Sequence, residues 1–297
     1  MKCNNLMKKK DCYPTVYKRK AFCFPRKQGA AADLLGFLLL FLSILLMLTG
    51  CATTLPKDVP RTPSRAFANH ETTPTGRLFE EKAQQHPGES GFTIISKGRR
   101  AFAGRIAMTA IAEKTIDLQY YIWEPDTTGR ILALRLIEAA DRGVRVRILL
   151  DDHTLEGRDL GMAIADAHPN IEIRIFNPFA HRGWRLFGFL TDFDRINHRL
   201  HNKLVVMDNA RAIVGGRNIG DHYFGVEPGT NFRDLDVAVA GPIVREFSRL
   251  FDYYWNGDWS YPISALVDGN YTEADLSEAM ATARGMINKE KYPYPLD

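Results

Sequence analysis

From Leu78 onward the apolar and polar positions follow two periods, and the switches between them mark out the elements. "LFEEKAQQHPG" (78–88) reads as a short helix stopped by Pro-Gly, and "GFTIISKG" as a strand. In "RRAFAGRIAMTAIAEK" the apolar residues at 102, 106, 110 and 111 have the spacing of one helix face. Strand and helix then alternate: "TIDLQYYIW" strand, "TTGRILALRLIEAADRG" helix, "VRVRILLDD" strand, "GRDLGMAIADAHPN" helix, "IEIRIFNPF" strand. "HNKLVVMDN", "RAIVGG" and "LDVAVAGP" predict three further short strands. "VREFSRLFDYYWNGDW" predicts a helix with Val244, Phe247, Leu250, Phe251 and Trp255 on one stripe. This order predicts an α/β fold with a mostly parallel β-sheet and helices on both faces. Sites in such sheets gather at strand ends, where Asp151-Asp152-His153 and the stretch from His201 to Asp208 both fall.

The N-terminal quarter has a different pattern. A basic stretch runs into "LLGFLLLFLSILLMLTGC" (34–51), an apolar run ending in small residues, which is the form of a secretory signal. Leu48-Thr49-Gly50-Cys51 resembles the lipobox of bacterial lipoproteins, which would make Cys51 the lipidated new N-terminus; an uncleaved transmembrane anchor is the alternative. "ATTLPKDVPRTPSRAFANHETTPT" then reads as an extended tether. The organisation expected is a basic leader and signal peptide over 1–50, a Pro/Thr-rich tether over 51–75, an α/β domain over 76–262 and a polar C-terminal stub over 263–297 with one helix at 272–283. Localisation follows from the leader: exported, anchored to a membrane as a bacterial lipoprotein and facing the periplasm.

Charge changes the picture once it is divided. Nine of the 39 Lys/Arg and two of the 35 Asp/Glu lie in 1–50, which leaves 30 basic against 33 acidic residues. The pI near 8.8 therefore belongs to the leader, and the folded part lacks the basic footprint of nucleic-acid binding. Three of the four cysteines (Cys3, Cys12, Cys23) precede the cut, so neither disulfides nor a cysteine metal site is expected.

The candidate chemistry sits in "HNKLVVMDNARAIVGGRN" (201–218). If His201 and Lys203 lie on a strand they share a face, about 7 Å apart. An imidazole beside an ammonium suits a phosphodiester, the one as nucleophile or acid/base and the other neutralising non-bridging oxygens. Asn218 adds an amide donor, and Gly215-Gly216 let the backbone approach an anion. Asp234, in "NFRDLDVAV", is the candidate to orient the imidazole. The bland readings stand beside these. Asp151-Asp152 reads as a strand end capping the next segment, and His198 and His201, at i and i+3 on a strand, do not make a metal pair. Tyr120, Tyr121, Trp123, Tyr253, Tyr254 and Trp255 read as core. Trp184, Phe187 and Phe189, beside His181, Arg182 and Arg185, suit either lipid contact or a packed loop.

The spacing H-x-K-x4-D followed by G-G-x-N resembles the signature of the phospholipase D superfamily, and the likeness runs from "LQYYIW" to "FRDLDVAVAGP". Within it the chain looks most like the bacterial cardiolipin-synthase and phosphatidyltransferase branch, its lipoprotein-like members especially. The resemblance implies metal-free, cofactor-free double displacement through a phosphohistidine. His201 would be the nucleophile, and Lys203, Asn218, Gly215 and Gly216 would bind phosphate. Asp208 would join the catalytic set as the motif's structural carboxylate, and Asp234 would match the acidic partner of the histidine. Gly216 stands where many members have Ser. The family needs two motifs per site and this chain has one, so 76–262 would be a phospholipase D-like catalytic half-domain. Either two copies share a site as a homodimer, or a second chain or missing half carries the other motif. Membrane phospholipids are the implied substrate, with transfer preferred to hydrolysis. An exported phosphodiesterase or nuclease acting as a homodimer, or an inactive remnant, are the alternatives.

Overall fold

The computed structural model describes residues 36–43, 55–182, 185, 188 and 192–287. The chain separates into Met1–Ala52 and Thr53–Asp297. Of the first unit only the exposed helical stretch 36–43 is described; Cys51 and the basic leader lie outside the described residues. No helix among the described residues is long and apolar enough to cross a membrane.

The second unit is built on one eight-stranded sheet. Its strands are β1 (Gly91–Ile95), β2 (Thr115–Tyr120), β3 (Arg145–Asp151), β4 (Ile171–Phe176), β5 (Leu204–Met207), β6 (Arg211–Gly215), β7 (Asp236–Ala240) and β8 (Ser260–Pro262), in the order β1-β7-β6-β5-β2-β3-β4-β8. The helices are α1 (Pro74–Ala83), α2 (Gly98–Ile111), α3 (Thr127–Asp141), α4 (Asp159–Asp166), α5 (Phe193–Ile196), α6 (Asp221–Phe224), α7 (Ile243–Trp255) and α8 (Glu273–Gly285). Side chains of α2, α3, α4 and α8 pack on one sheet face in a large core with Ile116, Leu118, Ile148 and Ile173. On the other face α7 sets Val244, Phe251 and Trp255 against Leu149, Leu204 and Val206. Every residue of β2 is buried, as a strand covered on both faces requires.

The α/β class and the two-sided helical cover are as expected; the sheet is mixed rather than mostly parallel. Only β2–β3 and β3–β4 run parallel, and every other neighbouring pair is antiparallel. The reason is local. A parallel neighbour needs a crossover, which α3 and α4 supply, whereas β5 and β6 are joined by a tight turn. Asp208 and Asn209 both take φ of 51°, and the Ala210 N–H donates to the Met207 carbonyl at 3.0 Å, the geometry of a type I′ hairpin.

One segment reading changes and one holds. Much of the expected tether lies on the domain. Arg61 Nε donates to the Ser260 carbonyl at 2.9 Å, Arg174 Nη2 to that of Thr62 at 2.7 Å, and the Ala66 N–H to Asp252 Oδ2 at 2.8 Å. The polar stub carries a working helix. Thr272 and Asp275 form a capping box at the start of α8, which buries Leu276 in the main core. The stripe on α7 is also rotated: Ser248 is buried and Leu250 is 45% exposed.

Candidate active site

Five loops meet at one end of the sheet, because β2, β3 and β6 run one way and finish there while β5 and β7 run the other way and begin there. Tyr121 follows β2, His153 follows β3, His201 and Lys203 precede β5, Asn218 follows β6 and Asp234 precedes β7. His201 is exposed, whereas Lys203 is buried. The strand starts only at Leu204, so the two side chains do not meet by strand alternation. Instead the Lys203 ammonium turns back, donating to the His201 carbonyl at 2.7 Å and lying 3.1 Å from His201 Nδ1. Burial, and then the Lys203 charge, lower the pKa of His201, so the imidazole stays neutral to lower pH than an ordinary histidine. Burial also lowers the Lys203 pKa, against an opposing pull from Asp234.

Tyr121 shapes the floor. Its ring lies 4.8 Å from that of His201 and 5.8 Å from that of His153, and the Lys203 ammonium is 5.4 Å from its centre. The reading of Tyr121 as core was wrong in position, although its neighbour Tyr120 is fully buried. Asn218 is fixed at both ends of its amide: Oδ1 accepts from the Ile122 N–H at 3.1 Å and Nδ2 donates to the Tyr223 hydroxyl at 2.9 Å.

Asp208 does not join the others. It stands at the far end of β5, about 16 Å along the chain direction from Lys203 at strand rise. Its carboxylate is fully buried and accepts the backbone N–H groups of Glu113, Lys114 and Thr115 at 3.1, 2.8 and 2.8 Å. It ties the hairpin to the start of β2 and touches nothing at the open end.

Gly215 and Gly216 also serve differently from the phosphate-binding expectation. Their amides are engaged by the Lys203 and Leu235 carbonyls, at 3.2 and 2.9 Å. What matters is the missing Cβ: one on Gly215 would lie 2.2 Å from Asp236 Oδ1, and one on Gly216 2.5 Å from Asp234 Oδ1. A serine at 216 would displace Asp234, which accounts sterically for Gly at that position. The described contacts of the His201 ring are with Lys203 and Tyr121, and none is a hydrogen bond to Asp234.

Of the residues that position these groups, the arginines escaped sequence reading, whereas Asp151 and Asp152 stand where a capping strand end was expected. Asp151 is fully buried and accepts from the Leu200 N–H at 2.7 Å, the His153 N–H at 2.8 Å and Arg199 Nη1 at 3.2 Å, which holds the residue before His201. Burial outweighs these partners and raises its pKa to about 6. Asp152 receives Arg182 and Arg185, at 2.9 and 3.1 Å, and so anchors the segment between β4 and β5. Trp184, Phe187 and Phe189 of that segment lie outside the described residues. Buried Arg217 donates to the carbonyls of Ile95, Ser96, Tyr223 and Asp234, bracing the loops that carry Asn218 and Asp234. The Asp151 and Asp152 roles fit a strand-end reading; the arginine partners are distant in sequence and carry no local signal. His198, bonded to the Asp194 carbonyl and edge-on to Trp259, stands apart from the site.

The class these features define is a mixed α/β domain that gathers an open imidazole, a buried ammonium and a fixed amide at one end of its sheet. Comparison with known families makes the assignment specific. The family described as "Cardiolipin synthase, PLD-like domain" matches residues 106–255, half of the chain, and the chain belongs to it. Cardiolipin synthase C of Escherichia coli K12 is 46% identical over 184 residues, 62% of this chain and 39% of that protein. An uncharacterized protein of Helicobacter pylori 26695 is 39% identical over 230 residues, 77% of this chain and 45% of that one. The chain thus spans less than half the length of these relatives. Among solved structures, the phospholipase D family member Nuc from Salmonella typhimurium has TM-score 0.43 at 17% identity, covering 59% of this chain and 98% of that one. Phosphatidylserine synthase of Haemophilus influenzae has TM-score 0.47 at 14% identity, covering 72% and 48%.

Proposed function

We propose that this domain carries the nucleophilic half of a phosphatidyl-transfer site acting on membrane phospholipids, as part of an exported, lipid-anchored enzyme. The observation that carries the reading is an exposed His201 imidazole, its pKa lowered by burial and by the Lys203 charge, 3.1 Å from the buried ammonium of Lys203. His201 Nε2 attacks phosphorus, the phosphodiester P–O bond breaks, and the leaving alcohol takes a proton from an acid supplied in trans. An acceptor alcohol then attacks the phosphohistidine, gives up its proton to the same group, and frees His201. Lys203 turns onto the non-bridging oxygens, with the second N–H of Asn218 beside it. That leaves Nδ1, which must hold the proton while Nε2 attacks, for a carboxylate, and Asp234, just before β7 at the same sheet end, is the candidate.

The acid comes from a second motif, in a second copy of this chain or in a separate one. Full-length protein mixed with phosphatidylglycerol vesicles is expected to give cardiolipin and glycerol when the partner motif is present, with a trapped phosphatidyl-protein bond in an acid quench. His201→Ala must abolish both. A wild-type protein that is a monomer by light scattering at every concentration yet turns over would sink the shared-site reading. One that forms a discrete dimer without labelling His201 would sink the nucleophile assignment.

A further inference from the structure

Between α3 and α4 lies a cavity of about 620 Å3, within the range of roughly 300–1,000 Å3 usual for ligand pockets. Its floor is the apolar face of β3 and β4, with Ile148, Leu150 and Ile173, and its walls include Ala133 and Met162. Its roof is made of Trp123 and Leu155. These belong to the loops after β2 and β3, the same loops that bring Tyr121 and His153 to His201. The Thr154 hydroxyl, 3.5 Å from the Tyr121 carbonyl, and Arg158, bonded to the Trp123 carbonyl, tie the two loops together. Two guanidinium groups border the cavity: Arg158, held by Glu124 at 2.7 Å, and Arg130, whose side chain has no ion pair or hydrogen bond among the described residues.

We infer that this cavity holds one acyl chain of the phospholipid whose phosphodiester lies at His201. The proposal rests on the phospholipid reading above. An apolar slot that shares its roof loops with a phosphate site, with cations at its border, matches a molecule that joins an apolar chain to an anion. Binding there fixes the lipid along the sheet end and turns chain burial into positioning of phosphorus.

Trp123 reports on occupancy. Full-length protein is titrated with lysophosphatidylglycerol carrying bromine at mid-chain, and with the matching brominated fatty acid, which has no phosphodiester. Both are expected to quench a fluorescence component that Trp123→Phe removes. Affinity should tighten about fourfold per added methylene across octanoyl, decanoyl and dodecanoyl chains. Gly161→Leu fills the groove from α4, where an added Cβ meets no atom within 4 Å, and is expected to weaken binding at least tenfold. Ala133→Phe fills it from α3 and should do the same. Turnover without quenching of Trp123 overturns the acyl pocket and leaves the catalytic reading intact. Quenching by both probes without turnover supports the pocket while the catalytic reading fails. Absence of quenching with Trp123 shielded from acrylamide places a protein segment in the groove, from this chain's own C-terminus or a second copy, and overturns the proposal.

Discussion

The two ends of β5 belong to one motif and could hardly be less alike. At one end His201 is exposed, and the buried Lys203 ammonium is held by one carbonyl and one ring nitrogen. At the other, Asp208 is sealed off and accepts three backbone N–H groups. The open end keeps polar capacity unfilled and ready for a substrate; the closed end fills it, and so holds the strand that presents the open end. A contiguous signature can thus combine open polar groups with a distant brace, and the two are separated by hydrogen-bond satisfaction rather than by spacing.

If that contrast is right, substitutions at the two ends fail in different ways. His201→Ala should lower turnover by at least about 10⁴-fold with the melting temperature unchanged, as assay and calorimetry together would show. Asp208→Ala should cost about 3–5 kcal/mol in denaturant unfolding, because it strands buried N–H donors, with activity lost only as the fold is lost. If Asp208→Ala instead left stability intact and cut turnover alone, the division between the two ends would collapse.

Asp151 sharpens the comparison, since it is satisfied like Asp208 yet serves the open end. Its folded pKa of about 6 lies above the ordinary value of about 3.9, so it opposes folding as pH rises through that window. Its charged form accepts from Leu200 and Arg199, next to His201. Asp151→Asn is expected to lower turnover about 10²-fold while leaving the melting temperature at pH 7 nearly unchanged. Wild-type activity should fall as pH drops through about 6; the variant should lose that contribution and keep only the acid limb governed by His201. A stability loss matching that of Asp208→Ala would make Asp151 another brace.

The smaller effects test geometry. Gly216→Ser should cost about 1–3 kcal/mol, because its Cβ meets Asp234. Lys203→Met should raise the His201 pKa toward its ordinary value, seen in the titration of its ring protons by NMR. A neutral imidazole is the competent form, so the acid limb governed by His201 should move to higher pH. An unchanged titration would mean that burial alone sets the pKa of His201.

The sequence by itself determined the α/β class, the succession of β1 to β7 along the chain, and His201, Lys203 and Asn218 as the groups to watch, because periodicity and motif spacing are local properties of the chain; the short edge strand β8 went unread. It placed Asp208 by resemblance as a structural carboxylate, but nothing local shows that its partners are the amides of 113–115, some 93–95 residues away. Tertiary structure decided that the sheet is mixed, that Lys203 curls back onto His201, and that the Gly215 and Gly216 amides are already engaged. It also enlisted Tyr121, Asp151 and Arg217. Each of these depends on which chain ends meet at one edge of the sheet and on which polar atoms are already satisfied there. Burial and hydrogen bonding are properties of the assembled neighbourhood, and a linear pattern does not contain them.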